Sequence, residues 1–599
     1  AKGEKISVVF KGKTFAATAN ARGEWEVKLP ATPAGGPFEL TVSGRKDKVV
    51  LRDVVFGDVW LCSGQSNMEW PVAQSDHFEQ ERKAATDAQI RHFKVPRASS
   101  LAVQRTFQPA DWQAASPQTV GDFTGVGYFF ARELRKHQNV PVGLLNSSWG
   151  GTRLECWASL PTNGHKTWAE AQEHYRTEET RRKAEVAKFH GEIPTEDIGF
   201  QGGKAVWAAV DFDDSQWKTM TLSGWFGSEA QENFDGIFWL RKTLDLPAKA
   251  TAAEAVLSLG RFSDAGSIWL NDTLLDSTSR PTDRLRRFTV PAGLLKSGKN
   301  VVTLRIHDNG GAAGVSGEKD EIFLETADGR IPLKVGGWRY RLTQFQYILA
   351  EQYDSAPSVL YNAMIAPLHK FPVKGILWYQ GESNSWPMQG AYDYRRLLSQ
   401  TVADWRKQWG LGEVPFLLVQ LTCFGEDPDQ PKESNWAVLR ESQAVAAQRI
   451  PNASMAVILD VGDPKDVHPR DKQTVGYRLS LAARKLAYGE PVTYQSPAYE
   501  SMKTDGGSIR LKFKNTGGGL VAKDRYGYLK GFAIAGEDRK FHWATARIEG
   551  DEVVVSCPSV PKPVAVRYAW ANSPADANLF SKEGLPVGTF RTDEFNSEL

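Results

Sequence analysis

Three stretches of this chain place polar, chemically competent side chains directly after apolar, strand-like runs. In the first, Phe56–Met68 (FGDVWLCSGQSNM), the run Val54, Val55, Val59, Trp60 and Leu61 ends abruptly at Ser63-Gly64-Gln65-Ser66-Asn67. A serine on a tight turn after a strand is what serine hydrolysis needs. The strand fixes the residue, and the turn exposes its hydroxyl and the neighbouring backbone N–H groups. Taken alone, a serine in a polar turn is only a turn residue. The second stretch is Gly375–Asn384 (GILWYQGESN), again a buried-looking strand running into an amide and acid cluster. The third is Asp460–Lys472 (DVGDPKDVHPRDK), where Val457, Ile458 and Leu459 lead into an acidic loop with one histidine, His468.

Ligands of α/β proteins bind at the carboxyl ends of parallel strands. Folded side by side, these three ends would assemble a nucleophile, a base and its orienting carboxylate in the chain order Ser…Asp…His. Of the ten histidines, His468 is the one in an acidic loop immediately after a strand; His137 closes a helical run and His307 a strand. The histidines are dispersed, with no HExxH and no Cys/His cluster, so neither a metal nor another cofactor is expected.

The surrounding patterns divide the chain into five blocks. Residues 1–52 read as all-β, with alternation at Ile6, Val8, Phe10, then Trp25, Val27, Leu29, then Phe38, Leu40, Val42. Residues 53–198 switch to α/β patterning, with a helix over Gly127–His137 and a strand over Val142–Leu145 that ends at Asn146–Thr152. Residues 199–335 return to β character, with strands at Phe238–Lys242, Ser267–Asn271 and Val301–His307. Residues 336–490 resume α/β patterning: helices over Tyr392–Gln408 and Trp436–Arg449 precede strands over Phe416–Leu421 and Met455–Asp460, and Pro469 suits the start of a last helix. Residues 491–599 are strand-rich, with Ile509, Leu511 and Phe513 alternating.

The motifs GDVWLCSGQSNMEW (57–70), PVGLLNSSWGGTRLECW (141–157), LYNAMIAPL (360–368), WYQGESN (378–384) and DVHPRDKQTVGYRL (466–479) together resemble those of the sialate O-acetylesterase family of SGNH-type hydrolases, in family order. The resemblance implies an α/β fold with an SGNH-hydrolase parallel-sheet core. A β jelly-roll, similar to the galactose-binding-like domains of many glycosidases, would interrupt that core, and N- and C-terminal β-sandwich pieces would flank it. It implies Ser66 as nucleophile and His468 as base. Asp466 is the first choice for the orienting acid; many SGNH enzymes space that acid three residues ahead of the histidine, where Lys465 stands here, and Asp463 is the alternative. For the oxyanion hole it implies the Ser66 N–H, a glycine of the second motif (Gly151, or Gly150) and an amide of the third (Gln380, or Asn384). Gln65 and Asn67 would brace the turn. Arg153, Glu155 and Glu382 are either a supporting ion network or substrate contacts; Trp225 and Trp269 of the insert are candidate sugar platforms, and Arg153, Arg440 and Arg470 are candidate partners for a sialate carboxylate.

The implied activity is serine carbohydrate O-acetylesterase, on sialic acid or a plant cell-wall polysaccharide such as xyloglucan. The alternatives are a lipase- or thioesterase-like esterase on the same core and a non-catalytic glycan-binding protein. At 599 residues the chain has room for about four domains of ~150 residues each. A net charge of +2 with scattered Lys and Arg gives no nucleic-acid footprint, and no apolar run approaches the ~20 residues of a membrane helix. Four cysteines do not make a disulfide framework; Cys62 and Cys156 read as small buried residues. Twenty tryptophans and sixteen tyrosines suit either sugar stacking or β-sandwich cores. The opening AKGEKISVVF carries no charged-then-apolar leader, and the resemblance implies a trimmed or mature form working in the periplasm or outside the cell.

Overall fold

The computed structural model describes residues 2–595 apart from 172, 174–176, 178, 179, 182, 183, 185, 186, 188–190, 195, 223, 226–235, 252, 263, 264, 279–284, 309–313, 317–320, 335, 336, 346–355 and 427. The chain falls into two compact units, Ala1–His165 with Pro357–Leu599, and Lys166–Ala356.

The first unit is built on a seven-stranded sheet ordered Ala453–Ala456, Phe416–Val419, Gly375–Tyr379, Asp58–Gly64, Val142–Ser148, Ile90–Lys94 and Gln113–Ala114. All neighbours pair in parallel except the short Gln113–Ala114 edge. The central strands are buried along their length: Trp60, Leu61, Cys62 and Ser63 on one, and all of Gly375–Tyr379 on the next. Continuous apolar runs of this kind belong to parallel sheets covered on both faces. The strand Asp58–Gly64 lies where the winding reverses, since the chain first builds the sheet on one side of it and then crosses to Gly375–Tyr379 on the other.

Register decides what this sheet presents. Gly64 pairs with Ser148 on one side and Tyr379 on the other, so three strands end level. Gly64 has to be glycine. Its φ is +137°, and a Cβ there would meet the Tyr379 carbonyl oxygen at 2.0 Å. Helices Gly125–His137, Met388–Trp409, Asn435–Arg449 and Lys472–Leu486 accompany the sheet, and Leu397, Leu398, Val402 and Trp405 form a buried face as their spacing requires.

Some elements differ from their sequence patterns. Trp25, Val27 and Leu29 alternate but form no strand; the N-terminal sheet is four-stranded, ordered Lys13–Thr18, Lys5–Phe10, Gly35–Ser43 and Lys48–Phe56. Alternation supplies a face, and a strand also needs a partner edge. The last helix starts at Lys472, not at Pro469, because the Asp471 side chain accepts from Thr474 N at 2.8 Å and caps it. The strand expected over Met455–Asp460 ends at Ala456, and Leu459–Val461 is a 3₁₀ turn.

The C-terminal part of this unit carries antiparallel sheets, with Ile509, Leu511 and Phe513 of Ser508–Lys514 buried alternately. The second unit is also antiparallel, with six-, four- and three-stranded sheets. It is longer than the pattern over 199–335 suggested. Trp338–Phe345 pairs with Gly236–Leu246 and with Lys218–Met220, so these residues belong to it and not to the α/β core. No helix among the described residues is long and apolar enough to cross a membrane.

Candidate active site

Because Gly64, Ser148 and Tyr379 are level, the residues two positions beyond them, Ser66, Gly150 and Gly381, enter the same space above the sheet. Ser66 begins the short helix Ser66–Glu69 and is part-exposed, while its neighbours Gln65 and Asn67 are buried. The turn is pinned from both sides. Gln65 N donates to the Tyr379 carbonyl at 3.0 Å, and Gln65 Oε1 accepts from Gly381 N at 3.2 Å and Ser383 N at 3.3 Å. The helix then leaves the Ser66 hydroxyl facing the loop that carries His468.

Across 402 residues of chain, His468 Nε2 lies 2.8 Å from Ser66 Oγ. The Trp70 ring stacks on the imidazole at 4.7 Å between centroids and 18° between planes, which fixes the ring's tilt. Asp466 Oδ1 stands 3.4 Å from His468 Nδ1 and accepts from His468 N at 2.9 Å. Asp463 instead turns its carboxylate to Lys465 N at 2.9 Å in an exposed loop. Burial holds the His468 imidazole below its ordinary value; the Lys472 ammonium adds to that, and Asp466 opposes it. This environment favours the neutral imidazole, the form able to take a proton.

Gly150 packs on Ser66. A Cβ there would come within 3.2 Å of Ser66 Cβ. Its N–H is taken by Glu69 Oε2 at 3.1 Å, and Glu69 Oε1 is held in turn by Arg97 and Lys94. Gly151, with φ +76°, has open space around its Cα. The amides expected from the third motif are turned inward in this geometry. Gln380 is fully buried, and Nε2 donates to Thr152 O at 3.1 Å and Asn384 Oδ1 at 2.7 Å. Asn384 in turn donates to Glu155 Oε2 at 2.9 Å and accepts from Leu154 N at 2.9 Å. A buried amide takes the nearest acceptors, and here these are in the second motif and at the end of the third.

The other candidates divide clearly. Arg153 reaches Ser383 O and Trp386 O, both at 3.0 Å, and Glu155 at 3.3 Å, so it ties the second motif to the third. Arg153 and Asn384 outweigh the burial of Glu155 and keep that carboxyl below its usual range. Glu382 accepts from Asn67 at 2.6 Å, and burial pushes its carboxyl up. Arg440 is fully buried among the carbonyls of Thr422, Ala569, Ala571 and Asn572, so it is not available to a substrate carboxylate. Arg470 is exposed. Trp269 is corrected: it is 6% exposed and stacks on Trp239 at 5.4 Å within a tryptophan core, so it offers no open face to a sugar. The side chain of Trp225 lies outside the described residues. None of the four cysteines is in a disulfide, and Cys62 and Cys156 are buried.

Residue reading missed Trp70, Glu69 and Lys472, all within the quoted motifs. Lys472 is fully buried and donates to Asn67 Oδ1 at 2.6 Å. The signal for it was a lysine at the first turn of an otherwise apolar-faced helix, where a solvated charge is the usual reading.

A family model described as carbohydrate esterase, sialic acid-specific acetylesterase, matches residues 56–193 and 331–482, on either side of most of the second unit. Sialate O-acetylesterase of Mus musculus is 26% identical over 506 residues, covering 79% of this chain and 65% of that protein. The Homo sapiens protein of the same name is 24% identical over 513 residues, covering 80% and 64%. The chain thus spans about two thirds of the length of these relatives. Among solved structures, a carbohydrate acetylesterase from Xanthomonas citri is 32% identical with a TM-score of 0.66, covering 99% of this chain and 94% of that one. The chain belongs to the sialic acid-specific acetylesterase family of carbohydrate esterases.

Proposed function

We propose that this protein is a serine carbohydrate O-acetylesterase that removes acetyl groups from O-acetylated glycans through an acetyl-enzyme. The observation that carries the reading is the 2.8 Å contact between Ser66 Oγ and His468 Nε2 at the end of the core sheet. Ser66 Oγ attacks the acetyl carbonyl carbon while His468 Nε2 takes its proton. The carbonyl oxygen becomes an oxyanion, held by the Ser66 and Gly151 N–H groups, and Gln380 holds the Thr152 carbonyl in the loop just after Gly151. Collapse breaks the bond to the sugar oxygen, and His468 returns the proton to that alkoxide. Water, deprotonated by His468, then attacks the acetyl-enzyme, and acetate leaves with Ser66 restored. Asp466 holds the imidazole tautomer and steadies the imidazolium.

Family membership and the names of the relatives support an acetylated sugar as the substrate, with sialic acid and plant polysaccharides as the classes to test. On this reading the protein works in the periplasm or the medium. The second unit is a jelly-roll-type β domain, which its antiparallel sheets support. It would engage glycan by faces other than the one holding Trp269.

Acetate release from acetylated sialic acid, xyloglucan, xylan and pectin tests the reading, with p-nitrophenyl acetate as the small control ester. The expected result is release from at least one glycan, and none with folded Ser66→Ala. A preference for long acyl chains over acetate would point to the lipase-like alternative, and turnover by Ser66→Ala would end the serine mechanism.

A further inference from the structure

Behind the catalytic pair lies a buried polar chain that the reaction itself does not use. Lys472 is the only lysine among the buried polar and charged residues described. Its Nζ donates to Asn67 Oδ1 at 2.6 Å and lies 5.6 Å from the centre of the Trp70 ring and 5.4 Å from that of Tyr379. Among the described residues no carboxylate stands within ion-pair distance of it. Asn67, also fully buried, passes the connection on: Nδ2 donates to Glu382 Oε1 at 2.6 Å and to the Val467 carbonyl at 3.0 Å.

Each end of this chain touches a different part of the site. Asn67 follows Ser66 in sequence, Val467 precedes His468, and Glu382 belongs to the turn that follows Gln380. Trp70, over which the ammonium sits, is the ring stacked on His468. One side chain at the start of a helix therefore joins the nucleophile turn, the base loop and the amide turn. A buried lysine carries a large desolvation cost. A lysine set here only to fill space would be replaced with little loss by methionine, which is unbranched, one atom shorter and uncharged.

We propose that Lys472 is a positioning residue of the esterase site, acting through Asn67 to hold Ser66 and His468 in their 2.8 Å register. The inference rests on the serine-esterase reading above. A second consequence follows from charge. The groups facing the ammonium are Glu382 and Tyr379 from the amide strand and its turn, Asp466 and His468 from the base loop, and Asp471 from its own helix cap. Burial pushes Lys472 down to about 7, against the pull of Glu382, Asp466 and Asp471. While charged, it opposes protonation of His468, so removing it lets the imidazolium form at higher pH.

The test compares Lys472→Met and Asn67→Ala with wild type. It uses p-nitrophenyl acetate turnover across pH, the rate at which a fluorophosphonate labels Ser66, and thermal unfolding. Lys472→Met is expected to lower kcat about 10- to 100-fold with KM within about threefold, as for loss of transition-state alignment. It should slow labelling by a similar factor and move the acid limb of kcat/KM to higher pH. Asn67→Ala should lower kcat and labelling comparably while leaving the acid limb in place, and the double variant should be far from additive. A folded Lys472→Met with wild-type kcat, labelling rate and acid limb would overturn the proposal. If Lys472→Met does not fold, Asn67→Ala decides: kcat and labelling within twofold of wild type would overturn it. Labelling separates the two readings, because slowed labelling in a protein that deacetylates no glycan upholds this inference and ends only the substrate assignment.

Discussion

The turn after Gly64 and the turn after Tyr379 begin from residues that are register partners, and both follow strands whose last five residues are buried. They end in opposite ways. The first opens: Ser66 stays part-exposed, and its hydroxyl meets His468 Nε2 at 2.8 Å. The second closes: Gln380 is fully buried, its side-chain Nε2 donates to Thr152 O and Asn384 Oδ1, and its backbone carbonyl accepts from Gln443 Nε2 and the Tyr394 hydroxyl, both at 3.1 Å. One turn presents chemistry and the other braces it. The difference between the two turns is exposure: Ser66 can be reached from outside and Gln380 cannot. The inward turn matters as much, because a nucleophile is useful only where its surroundings hold it still.

His468→Ala is the most severe way to break the open turn. Turnover should fall by about 10⁴- to 10⁶-fold, and the double variant with Ser66→Ala should be little worse, since nucleophile and base act as a unit. Additive losses, measured on the small ester, would place His468 outside that unit. The same residue sets the acid limb of the wild-type profile. The base works neutral, and burial followed by the Lys472 charge disfavours the imidazolium. Activity should therefore persist as pH falls past the ordinary imidazole value and be lost only on passing the depressed one. An acid limb at or above the ordinary value would contradict this environment.

Asp466→Asn should cost less, about 10²- to 10³-fold in kcat, because the 3.4 Å separation from His468 Nδ1 is long for a hydrogen bond in the unliganded site. Asp463→Asn should stay within about threefold, since that carboxylate turns to Lys465 N. The reverse ranking would exchange their roles. Gln380→Ala tests the closed turn. It removes the donor from the Thr152 carbonyl and so loosens the loop that follows Gly151. We expect kcat to fall about 10- to 100-fold, together with a lower melting temperature as buried partners lose their bonds. Unchanged kcat with lowered stability would make the turn a packing device alone.

The contrast between the turns also explains what could be read from sequence. The strand ends at Gly64 and Tyr379 were legible because unbroken apolar runs such as Ile376–Tyr379 suit a covered parallel sheet; the third, expected at Asp460, comes at Ala456. His468 stood out because it alone among the histidines lies in an acidic loop just after an apolar run. The inward direction of Gln380 was not, because it depends on Thr152, 228 residues away. Lys472 was passed over for the same reason: its partner Asn67 is 405 residues distant. Trp269 shows the limit for aromatics, since composition supplies a ring and only packing against Trp239 decides whether it faces a sugar or a core. Trp338–Phe345 was assigned to the wrong side of a boundary because its pairing partner, Gly236–Leu246, precedes it by a long stretch of chain.

The smallest effect on the small ester is expected from removing the second unit altogether. The open turn, the closed turn and the loop of His468 all belong to the first unit, so the chemistry has no covalent need of Lys166–Ala356. The two ends left behind already meet: Asn163 Nδ2 donates to Ser358 Oγ at 3.0 Å, and Ser358 N donates to the Glu155 carbonyl at 2.9 Å. A short Gly/Ser linker between His165 and Pro357 would therefore close a gap the fold has already brought together, and loop closure over so few residues costs little. Hydrolysis of p-nitrophenyl acetate should stay within about threefold of the full chain, the effect of a remote excision that leaves catalytic alignment intact. Turnover of an acetylated polysaccharide, measured in parallel, should fall by more if the removed unit engages glycan. Equal retention on both substrates would leave it without a part in recognition. Loss on both, in a protein that still shows a cooperative unfolding transition, would mean that the bonds at Asn163 and Ser358 do not suffice to hold the second and third motifs in register.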